Sequence, residues 1–315
     1  MDRPVGTGAP PLILLMAYGA ARGPEEIPAY LADIRGGRPA PPELVAEVTH
    51  RYGLLGGRSP LFEITDAQAA GLRRALAARG VAAEVAVGMR HSEPTIARVV
   101  AERAAAGARR VVGLPLTPFQ SSLSVGAYFK KLDEAAAPAG LSVVRSGGWH
   151  LNPSLVAAYA ARVREAYARV PEALRPRTEL LMTAHSLPQR ILAEGDPYPG
   201  QLQETSAAVA KAAGFEAFRF AYQSRGATAE PWLGPDAGES LRDIANSGAK
   251  AVVLCPVGFV SDHMETLYDD DVLYKGQAEA AGLRFERAGA LNDHPLFAEA
   301  LADTVQAALS GSAAS

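Results

Sequence analysis

A histidine closes one of the most strand-like runs in the chain. In "LLMTAHSLP", Leu180 to Pro188, apolar and small residues follow the polar "RPRTE" and end at His185, just before a Ser-Leu-Pro turn. An imidazole at a strand's end points into the crevice beyond the sheet, and at neutral pH it can accept a proton. A second histidine-containing stretch, "GFVSDHMETLYDDDVLYK", runs from Gly258 to Lys275. If it opens a helix, Asp262, Glu265 and Asp269 fall at spacings of three and four and line one face. Like charges so placed cost an isolated helix about 0.2–0.5 kcal/mol per pair. The pattern is therefore either a solvated acidic face favoured by the helix dipole or a set of carboxylates waiting for a cation. His263, two residues before Glu265, is predicted to face elsewhere. Imidazole plus carboxylate suits ferrous iron or another divalent first-row metal, and a pair of such ligands can let the ion go where three or four would trap it.

Other chemistries lack their motifs. The first strand is not followed by Gly-x-Gly-x-x-Gly, and there is no Walker loop, Gly-x-Ser-x-Gly elbow or His-Glu-x-x-His. "GLLGGRSP" at 53–60 is rich in glycine but lacks the Lys-Ser/Thr ending that grips phosphate, so it reads as a loop. Arg35 and Arg38 in "ADIRGGR", and Arg51 with Tyr52 in "HRYG", concentrate cations in an early loop region where forked guanidinium groups could bind carboxylates. His50, His150 and His294 are expected at loop or surface positions.

The elements that must position these groups alternate between strand-like and Ala-rich helical runs, the pattern of a parallel sheet covered by helices. "PLILLMAYG", "AAEVAVGMR", "RRVVGLPL" and "LSVVRSGGW" each precede a helical run; "TELLMTAHSL", "AFRFAYQS" and "KAVVLCPVGF" begin the sequence of events again. "RRVVGLPLTPF" at 109–119 and "AKAVVLCPVGF" at 249–259 both set a Val-Val strand before a proline, which supports an internal duplication. Leu14 to Val111 spans 97 residues and Leu180 to Val252 spans 72, so the copies differ in length. The predicted fold is α/β: two similar doubly wound, Rossmann-like parallel-sheet domains around a central cleft. Residues 1–155 form the first and 156–315 the second, with ligand bound where the strand ends converge.

Composition narrows the partners. A formal charge of -3 and a pI near 6.1 give no broad cationic surface for nucleic acid. The single cysteine, Cys255, precludes an intramolecular disulfide and any four-cysteine zinc or iron–sulfur site within the chain, so a cytoplasmic location is expected. No apolar run reaches the 18 or more residues of a membrane span. "MDRPVGTGAPPLILLMAYGAARG" loosely imitates a secretion leader, but Asp2 offsets Arg3 and Tyr18-Gly19 interrupts the apolar run, so it is read as a first core strand. Nothing signals an interface, and a monomer is expected.

Seven stretches together resemble one family, the ferrochelatases, and specifically the coproporphyrin ferrochelatases of monoderm-type bacteria. They are "LLMAYGAARGPEEIPAYLADIRGGRPAPPEL", "RYGLLGGRSPLFEIT", "PFQSSLSVGAYFK", "MTAHSLPQRI", "GDPYPGQLQET", "YQSRGATAEPWLGPD" and "PVGFVSDHMETLYDDD". The resemblance implies insertion of Fe2+, as a substrate, into a porphyrin, with His185 and Glu265 as the inner pair at the iron. It implies that the phenol of Tyr18 approaches the metal from the other face, and that Arg35, Arg51, Tyr52, Ser59 and Tyr128 contact the porphyrin. It places Asp269 as an outer metal-binding carboxylate and His91 near the site. Where relatives carry a further carboxylate beyond Asp269 this chain has Leu273, leaving Asp270 or Asp271 as candidates to replace it. No organic cofactor is implied, and the [2Fe-2S] cluster of some members is ruled out here by the cysteine count. The substrate implied is coproporphyrin III; the alternatives are protoporphyrin IX, a sirohydrochlorin-type cobalt insertion, or a haem carrier using Tyr18 without catalysis.

Overall fold

The protein is described by a computed structural model covering residues 9–226 and 228–311. Asp2 and Arg3 of the leader-like stretch, and Ala227 of "YQSRGATAEPWLGPD", lie outside the described residues. The first half contains β1 (Leu12–Ala17), α1 (Ile27–Ile34), α2 (Pro42–Leu54), α3 (Leu61–Ala78), β2 (Glu84–Met89), α4 (Ile96–Ala105), β3 (Arg110–Pro115), α5 (Val125–Ala139) and β4 (Ser142–Arg145). There follow α6 (Pro153–Arg169), β5 (Thr178–His185), α7 (Arg190–Ala193), α8 (Tyr198–Ala213), β6 (Arg219–Gln223), α9 (Ala237–Asn246) and β7 (Ala251–Cys255). The chain ends with α10 (Met264–Tyr268), α11 (Lys275–Ala280), β8 (Arg284–Arg287) and α12 (Pro295–Ser310).

Two four-stranded parallel sheets result, ordered β2-β1-β3-β4 and β6-β5-β7-β8. These are the same order in two copies, as the paired Val-Val-Pro strands suggest. Every residue of β1 and of β7 is buried, because helices cover both faces of each sheet and a near-continuous apolar run is the only sequence such a strand tolerates. In this order the connections depart in opposite directions between β1 and β3, and again between β5 and β7. Each divergence opens a crevice at the carboxyl ends of its strands. Tyr18 follows β1, and His185 is the last residue of β5.

One apolar cluster runs through both halves, joining Ile13, Leu15 and Val112 under the first sheet to Leu180, Met182 and Val253 under the second. It is bridged by α6, which packs on β7 and β8, and by α12, which returns to pack on α3, β3 and β4. A polar seam reinforces the junction: the Gln68 amide on α3 donates to Ser261 Oγ at 2.8 Å and to the Asn292 carbonyl at 3.0 Å.

The structure adds elements that the strand–helix pattern did not resolve. Arg51 and Tyr52 stand on the last turn of α2, not in a loop, and "LRFERAG" supplies the edge strand β8. The run from Asp262 to Ala280 is not one regular helix. Between α10 and α11 the backbone widens into a π-helical turn, Asp269–Tyr274, a geometry often found at functional sites.

Candidate active site

Two loops bring the second half's chemistry together. His185 ends β5 at one side of the β5/β7 divergence, and the segment following β7 carries Glu265 into the same crevice on the first turn of α10. The segment lies directly on β5. The Gly258 amide donates to the Thr183 carbonyl, and a Cβ at Gly258 would come within 2.5 Å of Ala184 Cβ and 2.7 Å of its Cα. Only glycine permits that approach. Gly258→Ala is therefore expected to push the segment off β5 and lower activity about tenfold or more through misplacement of Glu265, read as kcat with retained secondary structure.

His185 Nε2 stands 3.2 Å from Glu265 Oε1, and both side chains are about one-third exposed, at 35% and 36%. His185 Nδ1 is hydrogen-bonded to the Ser186 carbonyl, which assigns that nitrogen its proton and leaves Nε2 to face the crevice. Burial opposes charge on this imidazole, but Glu265 and the Ser186 carbonyl outweigh it, and the His185 pKa is raised above its ordinary value. Burial likewise opposes the Glu265 carboxylate, yet His185 and His263 hold its pKa well below the usual carboxylate range. His263, expected to face elsewhere, reaches the same carboxylate: its Nε2 lies 3.7 Å from Glu265 Oε2. It is the N-cap of α10 and forms a capping box with Thr266, which swings the ring back over the first turn. Glu265 thus lies between two imidazoles.

Asp262 leaves the predicted acidic face altogether. It precedes α10 and pairs with Arg287 Nη1 at 2.7 Å, while Asn292 Nδ2 donates to its other oxygen at 2.7 Å. Arg287 also holds Asp271, at 2.8 Å. Removing the cation would leave the recessed Asp262 carboxylate without it, so Arg287→Ala is expected to destabilise the fold by about 2–3 kcal/mol, measured as a lowered denaturation midpoint. Asp269 accepts from Ser224 Oγ, and burial raises its pKa. Asp270 is fully buried, with Gln223 Nε2 donating to it at 3.1 Å, and burial pushes its pKa well up. Neither Asp270 nor Asp271 is therefore a free outer carboxylate in place of Leu273, which is itself exposed. Among the described residues no three His, Cys, Asp or Glu side chains are arranged to hold a metal ion, although the charge of Asp269 is felt at His185 and that of Glu265 at Asp269.

The first half supplies the facing wall. Tyr18 is 39% exposed at the end of β1, on a loop that the other tyrosines hold: Tyr30 donates to the Gly19 carbonyl at 3.1 Å and Tyr52 to the Ala21 carbonyl at 3.2 Å. Gly19 takes a positive φ of 99°, allowing the chain to turn immediately after Tyr18. Burial raises the phenol pKa of Tyr18, assisted by the charge of Glu265, and pushes that of Tyr52 up to about 12. The Arg90 guanidinium lies 5.7 Å from the ring centres of both Tyr18 and Tyr128. Tyr128, Tyr52 and Ser59 are buried, Ser59 accepting from the Leu61 amide at the start of α3. Arg35 caps the carboxyl end of α1, and Arg51 lies over the Tyr268 ring of α10 at 4.6 Å. Met264 joins Ile27, Leu31 and Tyr52 in one small apolar cluster, so the helix bearing Glu265 rests on the helices bearing Arg35 and Arg51.

His91 packs 4.6 Å from Tyr18, ring centre to ring centre, with Asp33 Oδ2 2.6 Å from its Nδ1. Burial lowers its pKa despite Asp33. Behind it lies a cavity of about 520 Å³ whose charged walls, including Arg22, Asp33, Arg90 and Glu134, mix both signs; it reaches neither His185 nor Glu265. His263, Arg90 and Ser224 were not legible as site residues. The one available sign was the N-cap position of His263 before "METLY", which fixes its direction only when the helix start is known. Of the remaining histidines, His150 pairs with Glu204 and His294 caps α12.

Comparison with known proteins agrees with the architecture. A family model described as ferrochelatase matches residues 12–309. A ferrochelatase of Deinococcus radiodurans is 41% identical over 93% of this chain and 94% of its own, and a coproporphyrin III ferrochelatase of Bacillus subtilis 38% identical over 93% and 96%. Among solved structures, SirB from Bacillus subtilis with Fe3+ superposes with a TM-score of 0.61 at 13% identity, covering 96% of this chain and 97% of that one. The last likeness concerns the fold alone. The match along nearly the whole chain places this protein in the ferrochelatase family, the metal chelatases of haem biosynthesis that act on a porphyrin with ferrous iron as substrate.

Proposed function

We propose that this chain inserts Fe2+ into coproporphyrin III, with His185 and Glu265 as the catalytic pair. The observation that carries the reading is the contact of His185 Nε2 with Glu265 Oε1 at 3.2 Å, at the mouth of the β5/β7 crevice. A flat porphyrin presents two inner N–H groups that block an incoming cation, and both protons must leave. With Nδ1 committed to the Ser186 carbonyl, His185 has one working nitrogen, and Glu265 stabilises the imidazolium formed when that nitrogen takes a proton. Proton and cation compete for Nε2, so acceptance of the proton and contact with iron are successive. Glu265, flanked by His185 and His263, is ionised at rest and can hold Fe2+ or, by taking the proton transiently, pass it to His263. Asp269 serves as an outer carboxylate for the ion, and Tyr18 closes the other face of the ring.

For the porphyrin we assign contacts to Tyr18, Arg35 and Arg51, with Tyr52, Ser59 and Tyr128 building the wall behind. Several relatives, including those of Bacillus subtilis and Geobacillus kaustophilus, bear the name coproporphyrin III ferrochelatase. Coproporphyrin III carries four propionates and protoporphyrin IX two, so the guanidinium groups of Arg35 and Arg51 find more carboxylate partners on the former. Each extra charge-assisted hydrogen bond contributes about 1.5–3 kcal/mol. The kcat/KM for coproporphyrin III is accordingly expected to exceed that for protoporphyrin IX by about tenfold or more; equal or reversed values would assign the other substrate. We read residues 1–155 and 156–315 as two domains, each centred on one sheet, in a monomeric cytoplasmic enzyme. No helix among the described residues is long and apolar enough to cross a membrane.

A further inference from the structure

Two of the stretches that carry the family resemblance, "PFQSSLSVGAYFK" and "GDPYPGQLQET", contribute no group to the proton or iron chemistry, yet they meet across the two halves. Asp196 lies between α7 and α8 and takes three donors from the loop that follows β3. Its Oδ2 accepts from Ser121 Oγ at 2.9 Å, from the Ser122 amide at 2.9 Å and from Ser122 Oγ at 3.2 Å. Its Oδ1 accepts from the Tyr198 amide at 3.0 Å. One residue earlier in the loop, the Gln120 amide donates to Gln201 Oε1 at 2.7 Å. Tyr198 itself is buried, edge-on to Phe119 with ring centres 6.2 Å apart, and its hydroxyl donates to the His185 carbonyl at 3.0 Å.

The sequence of contacts has a direction. The loop 119–124 runs into α5, the helix that carries Tyr128. Asp196 ties that loop to α8, and Tyr198 at the head of α8 holds the backbone of the residue whose imidazole faces Glu265. Four acceptances on one carboxylate, two of them from backbone amides, fix its place far better than a surface ion pair would. We infer that Asp196 and Tyr198 are positioning residues: a clasp between the halves that sets the spacing of the Tyr128 wall from the His185 imidazole.

The inference rests on the iron-insertion reading, and its test separates the two. The full chain and its Y198F, S122A and D196N variants are compared in porphyrin binding, in steady-state iron insertion and in amide hydrogen exchange. Phenylalanine keeps the packing on Phe119 and removes only the hydroxyl, so Y198F is the variant that folds by design. Expected for Y198F is a kcat about fivefold lower, with porphyrin affinity and thermal midpoint near those of the wild type. Expected for D196N and S122A is faster exchange of the 119–124 segment, and for Y198F faster exchange of the 183–187 segment. A merely structural hydroxyl would lower the thermal midpoint without splitting kcat from affinity. Unchanged kcat and unchanged exchange in Y198F would overturn the clasp while leaving the chemistry standing. An inactive wild type would overturn the iron-insertion reading alone, since exchange reports the clasp without turnover.

Discussion

Replacement of His185 by alanine is expected to reduce iron insertion by a factor of about 10² to 10⁴, the range supplied by a positioned general base, and to leave the fold in place. The side chain is one-third exposed and, apart from Glu265, is bonded only to its own neighbour's carbonyl, so little packing is lost. What is lost is the acceptor at Nε2. The measurement is turnover of purified variant at saturating porphyrin, with circular dichroism to check folding; turnover within a few-fold of the wild type would remove His185 from the mechanism. Activity should also depend on pH in a defined direction. The imidazole works as a base only when neutral, and its pKa is raised above the ordinary value near 6.5. The rate therefore falls as pH drops through that raised value, and the acid limb of kcat/KM is expected above pH 6.5.

Glu265→Gln is expected to produce the second large effect. Glutamine keeps the shape and a hydrogen-bonding oxygen but removes the charge that draws both the proton and the cation. Turnover should fall by about 10² or more while porphyrin affinity stays within about twofold, because the assigned porphyrin contacts lie in the first half. The acid limb of any residual activity should move to lower pH, since the largest influence raising the His185 pKa is gone. Loss of porphyrin affinity with unchanged turnover would contradict the assignment. Titration of the imidazole by NMR in the two proteins reads the same displacement without catalysis.

The legible part of this molecule was the part written in strand periodicity and strand ends. His185 could be placed because a run of buried small and apolar residues stops at it, and the crevice could be placed because two Val-Val-Pro strands repeat. The strands containing them do occupy equivalent places, β3 and β7, in sheets of identical order. What escaped was set by tertiary contact. Asp262 shares a helical spacing with Glu265, but the pull of Arg287 and Asn292 holds it outside the helix. His263 turns toward Glu265 because its N-cap geometry, not a helical angle, directs it. In the widened turn at Asp269–Tyr274, Gln223 at the end of β6 and Ser224 just beyond it hold consecutive aspartates, a long-range constraint that no local pattern of "DDDVLY" displays.

The apolar cluster that continues through α6 and α12 from one sheet to the other has a mechanical consequence. Two lobes sharing one dry interior cannot swing apart like jaws without flooding it. Admission of a rigid planar molecule must then be accommodated at the rim, where α1 and α2 rest on only a small satellite of side chains around Met264. That pair of helices is the awning of the doorway, and the two sheets are its masonry.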